Sequence, residues 1–343
     1  MQAPRPRKGV LTVGILFNLC LLGYFKYADF FINNLNTLFT DGIEPLRIVL
    51  PLAISFFTFQ QIAYLVDSYK RLTTEYDFLN YCLFVSFFPQ LIAGPIVHHG
   101  EMMPQFARLR NARIDWSNVA RGITLFSLGL FKKVVIADNL AVWAGAGFDD
   151  AASLTFVEAW AASLCYTFQL YYDFSGYTDM AIGSALLFNI TLPLNFNSPY
   201  KAVNIQDFWR RWHMTLSRWL RDYIYVLLGG NRRGEARTYL NLFVTFLLGG
   251  LWHGAGWTFV AWGALHGAGT ALHKLWTSLG LRLPRYAGWL LTFLFVHCTW
   301  VFFRATSFAD ALKVFRGMVG LNGLVVGGES ANFSDIITTA LSA

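Results

Sequence analysis

Two histidines lie where an imidazole could carry out proton transfer. His253 belongs to the motif GGLWHG (residues 249–254), inside a stretch of 36 residues between Arg237 and Lys274 that contains no Asp, Glu, Lys or Arg. Along a helix it would lie about 24 Å from Arg237, within a hydrocarbon core about 30 Å thick. Burial there disfavours the imidazolium ion and leaves a neutral ring that can accept a proton. The pattern fits a general base and a hydrogen-bonded packing histidine equally well.

The second histidine, His213, lies on the apolar face of a segment with helical periodicity, residues 205–224. The segment is predicted to form one amphipathic helix along the cytoplasmic surface of a membrane. Arg210 and Arg211 lie elsewhere around that helix, where guanidinium groups suit the phosphates of a soluble donor. From the pattern alone, a packed histidine with one hydrogen-bond partner is the favoured interpretation.

The other candidate groups predict little chemistry. His266 and His273 lie seven residues apart on the next predicted helix, and the four cysteines lie far apart inside apolar segments. Neither set has the spacing of a metal site or of a disulfide framework, and no nucleotide-binding motif is present. We therefore expect neither a metal nor a tightly bound cofactor. Asp173 and Asp179 could serve a proton pathway, which keeps a channel or transporter as an alternative.

The elements that position these residues are predicted to be membrane helices. Of the 343 residues 55% are hydrophobic and only 14% are charged, against about a quarter in an average soluble domain. The uncharged runs have the length of a spanning helix and do not alternate with a period of two. The composition therefore predicts an all-α, polytopic bundle. The predicted spans are residues 10–31, 48–66, 119–137, 153–172, 239–269 (one span and part of another) and 289–303.

Three further segments are predicted to depart from a simple span. The run 78–97 contains Pro89, Gly94 and Pro95, which predicts a broken or re-entrant segment. Residues 138–150 carry three Asp and are predicted to form an acidic loop, and residues 171–179 are predicted to form a second break. The net charge of +7 comes from Lys and Arg beside apolar runs, which indicates cytoplasmic loops and anionic lipid headgroups, not nucleic acid.

Four motifs in fixed order carry a family resemblance: YDFSGYTDMA (172–181), NFNSPY (195–200), DFWRRWHMTLS (207–217) and GGLWHG (249–254). Together they resemble the membrane-bound O-acyltransferases, in particular the bacterial alginate O-acetylase branch. The resemblance implies a single integral-membrane domain over residues 1–343, with broken helices around a central funnel. Relatives have additional hydrophobic helices at both ends, so it also implies a fragment or a shortened member.

The resemblance further implies roles for particular residues. His253 matches the buried catalytic histidine, expected to act as general base, and His213 matches a second histidine that orients the acceptor or stabilises developing charge. The residues expected to contact substrate are Trp212, Trp252, Arg210, Arg211, Asp173 and Asn197.

The expected activity is acetyl transfer from acetyl-CoA, across the bacterial inner membrane, to an exopolysaccharide such as alginate. The expected partners are the lipid bilayer, a periplasmic acetyltransferase and the polysaccharide synthesis machinery. Within the same family, the alternative is D-alanyl transfer to teichoic acid from a carrier-protein thioester.

Overall fold

The computed structural model describes residues 7–39, 42–73, 77–92, 94–108, 111 and 113–324. Within these ranges the regular secondary structure is helical, without strands, so the predicted all-α class is confirmed. The chain divides into two compact units, one of residues 1–126 with 178–194 and one of residues 127–177 with 195–343. Each unit is described by itself.

Among the described residues, the first unit contains six helices and most of a seventh, together with the end of a long helix, α9 (Phe156–Leu186). They are α1 (Lys8–Leu22), α2 (Ala28–Asn36), α3 (Ile54–Tyr69), α4 (Phe78–Ser86), α5 (Phe88–Leu91), α6 (His99–Phe106) and α7 (Trp116–Leu130). The predicted break within residues 78–97 is confirmed, because Phe87 is extended between α4 and α5. Pro89 lies in the first turn of α5, where its missing N–H leaves no helical hydrogen bond unmade.

The second unit holds the start of α9 and the remaining helices. They are α8 (Asp138–Gly145), α9 (Phe156–Leu186), α10 (Ile205–Trp209), α11 (Met214–Leu220), α12 (Glu235–His253), α13 (Trp257–Ser278), α14 (Arg285–Arg304) and α15 (Phe308–Met318). Its apolar core is rich in aromatic side chains, among them Trp209, Trp212, Trp262 and Trp300.

The acidic loop predicted at residues 138–150 is wrong, because these residues are helical. The π-helical segments Phe131–Ala137 and Ala146–Asp150 flank α8 and continue the helix without interruption. Lys133 lies 2.6 Å from a carboxylate oxygen of Asp138 and 2.7 Å from one of Asp173. Because Lys133 pairs with Asp138 and Asp173, these charged residues can lie within helices and do not require a loop.

The break predicted at residues 171–179 is also wrong, because α9 runs uninterrupted for 31 residues. Gly176 permits a close approach: a Cβ at this position would lie 2.7 Å from the carbonyl oxygen of Gly129. Ser175 is buried as well. The small and polar residues therefore reflect close packing of one helix on another, which has the same sequence signature as a break.

The single helix predicted for residues 205–224 is divided in two. The backbone of His213 is left-handed, with φ 42° and ψ 54°, and separates α10 from α11. A left-handed residue cannot continue a right-handed helix. His213 is thus placed at a helix start and not on the face of a continuous helix.

The long uncharged stretch forms a helical hairpin of α12 and α13. A Cβ on Gly250 would lie 2.4 Å from the carbonyl oxygen of Phe259, and one on Gly263 would lie 2.6 Å from that of Phe246. The glycines therefore let the two helix backbones approach each other closely. His253 is the last residue of α12, so the chain is helical from Arg237 to His253, and His253 lies at the turn of the hairpin.

In the described part of the chain, two helical segments are long and apolar enough to cross a membrane, Lys8–Asn36 and Arg285–Arg304. The first comprises α1, a π-helical turn and α2, and the second is α14. Both coincide with predicted spans.

Candidate active site

The side chain of Asn195 holds His213 in place. Its Oδ1 lies 3.1 Å from Nδ1 of His213, 3.2 Å from the backbone nitrogen of Thr215 and 2.9 Å from Oγ1 of Thr215. The backbone carbonyl of Asn195 also accepts from the N–H of Met214, at 2.9 Å. One residue outside the helix therefore fixes the first turn of α11 and the ring of His213.

His213 is deeply buried, with 1% of its surface exposed. Phe174 meets the imidazole edge to face, with 4.7 Å between the ring centroids. Nε2 is buried and has no hydrogen-bond partner among the residues that the structure describes. A buried polar atom without a partner costs about 1–3 kcal/mol. Such a cost calls for an explanation, and a functional role is one.

His253 lies at the turn between α12 and α13 in an aromatic environment. Its ring centroid is 4.8 Å from that of Trp252, 5.1 Å from that of Trp262 and 5.0 Å from that of Phe303. The side chain is only partly buried, so the packed rings do not enclose it completely. Trp262 contacts both His253 and His266, with 5.1 and 4.7 Å between the ring centroids, so these two imidazoles lie in one region of the second unit.

A cavity of about 790 Å³ opens in the same unit, and its lining is strongly basic. Arg210, Arg218, Arg221 and Lys274 contribute to the wall, together with hydroxyl groups such as that of Thr270. The lining also includes Met214, the residue after His213, and Trp209, whose Nε1 donates to Nδ1 of His266 at 3.2 Å. Two residues of the cavity wall therefore adjoin buried histidines: Met214 follows His213 in the chain, and Trp209 is hydrogen-bonded to His266.

The predicted substrate residues differ in their surroundings. Arg210 is exposed and lines the basic cavity. Arg211 pairs with Asp207 at 2.8 Å and donates to the carbonyl of Asn197 at 3.3 Å, so it braces the chain. Asp173 pairs with Lys133.

The two predicted tryptophans are buried, with 4% of Trp212 and 6% of Trp252 exposed. Trp212 packs against Phe208 and Trp300 in the core, whereas Trp252 contacts His253. Asn197 is exposed. The structure therefore brings Trp252 to His253 and Arg210 to the cavity, and it gives Trp212 and Arg211 packing and bracing contacts. A substrate role for the six residues stays a prediction.

The sequence analysis overlooked Asn195 and His297. Asn195 is the first residue of the motif NFNSPY, which is the sequence signal that could have identified it. The structure buries its amide, with 1% of the residue exposed. His297 is equally buried, with Nδ1 2.8 Å from Oγ1 of Thr167 and Nε2 3.2 Å from Oγ of Ser163. Lys274 of the cavity was also missed, because it lies far along the sequence from the arginines. In the part of the chain that the structure describes, no three His, Cys, Asp or Glu side chains could together hold a metal ion.

Comparison with known proteins defines the class of this protein. The sequence model of the membrane-bound O-acyltransferase family matches residues 10–309. The chain belongs to the membrane-bound O-acyltransferase family, as the four motifs predicted.

Particular relatives narrow the comparison. The chain is 54% identical to the Peptidoglycan O-acetyltransferase of Helicobacter pylori, over 92% of this chain and 65% of that protein. It is 44% identical to the Probable alginate O-acetylase of Pseudomonas aeruginosa, over 90% of this chain and 60% of that protein. The Teichoic acid D-alanyltransferase of Streptococcus thermophilus is 25% identical over 66% of this chain. The chain thus spans less than two thirds of the length of these relatives.

Proposed function

We propose that this protein is an O-acetyltransferase of the bacterial inner membrane that crosses the bilayer several times and transfers acetyl groups from acetyl-CoA toward a cell-surface polysaccharide. The observation that carries the proposal is the occurrence of the buried, left-handed His213 and the aromatic-lined His253 in the same compact unit as a basic cavity. The names of the more similar relatives support an acetyl group and a glycan.

The cavity supports acetyl-CoA as the donor. A volume of about 790 Å³ falls within the usual range of small-molecule sites, about 300–1,000 Å³. Guanidinium groups recognise phosphates by paired hydrogen bonds, and an ammonium group adds a point charge. Arg221 is paired with Asp222, and the other cations of the wall, Arg210, Arg218 and Lys274, suit a donor with several phosphates better than the single phosphodiester of a carrier-protein arm. This difference favours acetyl over D-alanyl transfer.

In the proposed reaction, the oxygen of an acceptor hydroxyl attacks the thioester carbonyl carbon. His253 takes the hydroxyl proton as the C–O bond forms. The C–S bond then breaks, and the departing thiolate of CoA takes up the proton from the imidazolium. His213 either orients the acceptor or stabilises the charge on the carbonyl oxygen. A partly buried imidazole among aromatic rings, as in His253, suits the role of base.

The acceptor chain is proposed to lie on the far side of the membrane. Peptidoglycan and an exopolysaccharide such as alginate are the two glycans that the relatives suggest. A periplasmic acetyltransferase partner would receive the acetyl group and pass it to the sugar, beside the machinery that makes the polymer. Acetyl analysis of both polymers in a strain that lacks the protein would distinguish the two glycans.

His253→Ala tests the proposal. We expect loss of glycan acetylation, with the variant still present in the membrane at normal abundance. The matched control is His98→Gln, which removes a partly buried imidazole from the first unit and is expected to leave acetylation unchanged. Wild-type acetylation by His253→Ala would reject the mechanism.

The donor is tested with purified protein that is offered acetyl-CoA and a D-alanyl carrier protein. We expect turnover with acetyl-CoA, and a higher KM for it in Lys274→Gln. Turnover with the carrier protein alone would favour D-alanyl transfer. Solute flux through reconstituted vesicles, without any acyl transfer, would favour the transporter alternative.

A further inference from the structure

We propose that Asn195 is a positioning residue that fixes His213 as the tautomer protonated on Nδ1, so that Nε2 meets the acceptor substrate as a hydrogen-bond acceptor. The proposal rests on the proposed acetyl transfer and assigns His213 one of its two possible roles. The argument starts from the amide of Asn195 and proceeds to the ring.

The amide of Asn195 can be oriented without ambiguity. The backbone N–H of Thr215 is a donor and lies 3.2 Å from Oδ1. If the amide were flipped, its NH₂ group would face that N–H, and two donors would meet. Oγ1 of Thr215, 2.9 Å away, donates to the same oxygen. The oxygen of Asn195 therefore faces His213.

This orientation determines the tautomer of His213. An amide oxygen only accepts hydrogen bonds, so Nδ1 of His213, 3.1 Å away, must carry a proton and donate it. In the neutral ring, Nε2 is then unprotonated. Burial, and to a smaller extent the charge of His253, lower the pKa of His213 well below its usual value. The surroundings therefore disfavour a second proton on the ring.

The backbone of His213 is held in the same arrangement. Its left-handed conformation, with φ 42°, costs a non-glycine residue about 1–3 kcal/mol. The carbonyl and the side chain of Asn195 bind the next two residues, Met214 and Thr215, and the N–H of Ser217 donates to the carbonyl of His213 at 3.0 Å. Backbone strain and a buried, unpartnered Nε2 therefore occur in one residue, which is typical of functional sites.

The tautomer decides what His213 contributes to the reaction. A neutral ring with a bare Nε2 accepts a hydrogen bond and has no proton to offer the carbonyl oxygen of the thioester. His213 therefore orients the acceptor by binding one of its hydroxyl groups. That hydroxyl differs from the reacting one, whose single proton goes to His253, so the acceptor, whether the partner protein or a sugar, must present at least two hydroxyl groups.

The test compares Asn195→Asp with Thr215→Val in rate–pH profiles of purified protein with acetyl-CoA. A carboxylate keeps an oxygen for Nδ1 and for the N–H of Thr215, but its charge stabilises the imidazolium and so protonates Nε2. We expect the acid limb of the Asn195→Asp profile to move to higher pH by about 1–3 units. Thr215→Val removes the hydroxyl contact to Asn195 without adding a charge beside His213, and its profile should coincide with that of the wild type. Superimposable Asn195→Asp and wild-type profiles, or an equal shift in Thr215→Val, would overturn the proposal.

A second measurement does not depend on activity. Nitrogen-15 NMR of histidine-labelled wild-type protein, assigned by the signal that disappears in His213→Asn, should show Nδ1 protonated and Nε2 unprotonated at neutral pH. The reverse tautomer would contradict the role of Asn195 even if acetyl transfer is established. If His253→Ala retains full activity while the tautomer is as expected, the catalytic mechanism fails and the positioning by Asn195 stands.

Discussion

Among the buried histidines of the second unit, His213 and His266 have 1% and 0% of their surface exposed, yet their hydrogen bonds differ. Nδ1 of His266 accepts from Nε1 of Trp209 at 3.2 Å, and its Nε2 lies 2.9 Å from Oγ1 of Thr299. Because an indole N–H only donates, Nε2 of His266 must carry the ring proton. Both nitrogens of His266 are thus occupied, whereas His213 has one bare nitrogen.

The two histidines also differ in backbone conformation. His266 lies within the regular helix α13, against the rings of Trp262 and Phe295. His213 interrupts a helix in a left-handed conformation. Burial alone therefore does not distinguish these two histidines. The distinction lies in the second ring nitrogen and in the backbone that presents it.

The largest expected effect is that of His213→Asn on activity. Asparagine tolerates the left-handed conformation, so the chain can keep its path, but it lacks the bare imidazole nitrogen. We expect acetyl transfer to fall by about 10²-fold, because the acceptor is no longer oriented. Thermal unfolding in detergent should change little, because the packed core around Trp212 is untouched. Acetyl transfer at the wild-type rate would show that the unpartnered nitrogen is incidental.

His266→Leu should give the opposite result. It leaves the N–H of Trp209 without an acceptor and removes ring contacts such as that with Trp262, which together cost about 2–4 kcal/mol. We expect a lower unfolding temperature and normal activity in the fraction that remains folded, measured at saturating acetyl-CoA. An inactive but fully stable variant would place His266 among the reactive groups.

The sequence predicted the broad helical organisation because long uncharged runs are locally encoded. The sequence also predicted the break near Pro89, because proline lacks the N–H that a helix interior needs, whatever its tertiary surroundings. It failed at residues 171–179, since glycine and small polar residues mark breaks and close helix contacts alike. Only the approach of Gly176 to the backbone of Gly129 separates the two interpretations.

The candidate site was predictable in part for the same reason. His213 and His253 stand in motifs that resemble those of a family, but their surroundings are tertiary. The periodicity of residues 205–224 conceals the left-handed backbone at His213, because Asn195, which stabilises it, lies 18 residues earlier in the chain. The basic cavity likewise brings Lys274 next to Arg210 and Arg218, which are remote from it in sequence.

The smallest effect expected in this comparison is that of Thr299→Val. The change removes the oxygen that accepts from Nε2 of His266 and leaves the ring and its contact with Trp209 in place. One buried N–H then lacks a partner, so we expect a loss of about 1–2 kcal/mol in unfolding free energy. Thr299→Ser retains the hydroxyl and should recover most of that loss, and glycan acetylation should be normal in both variants. If Thr299→Val instead lost activity as His213→Asn does, a fully bonded histidine would have proved as reactive as a half-bonded one, and hydrogen bonding could not tell the two apart.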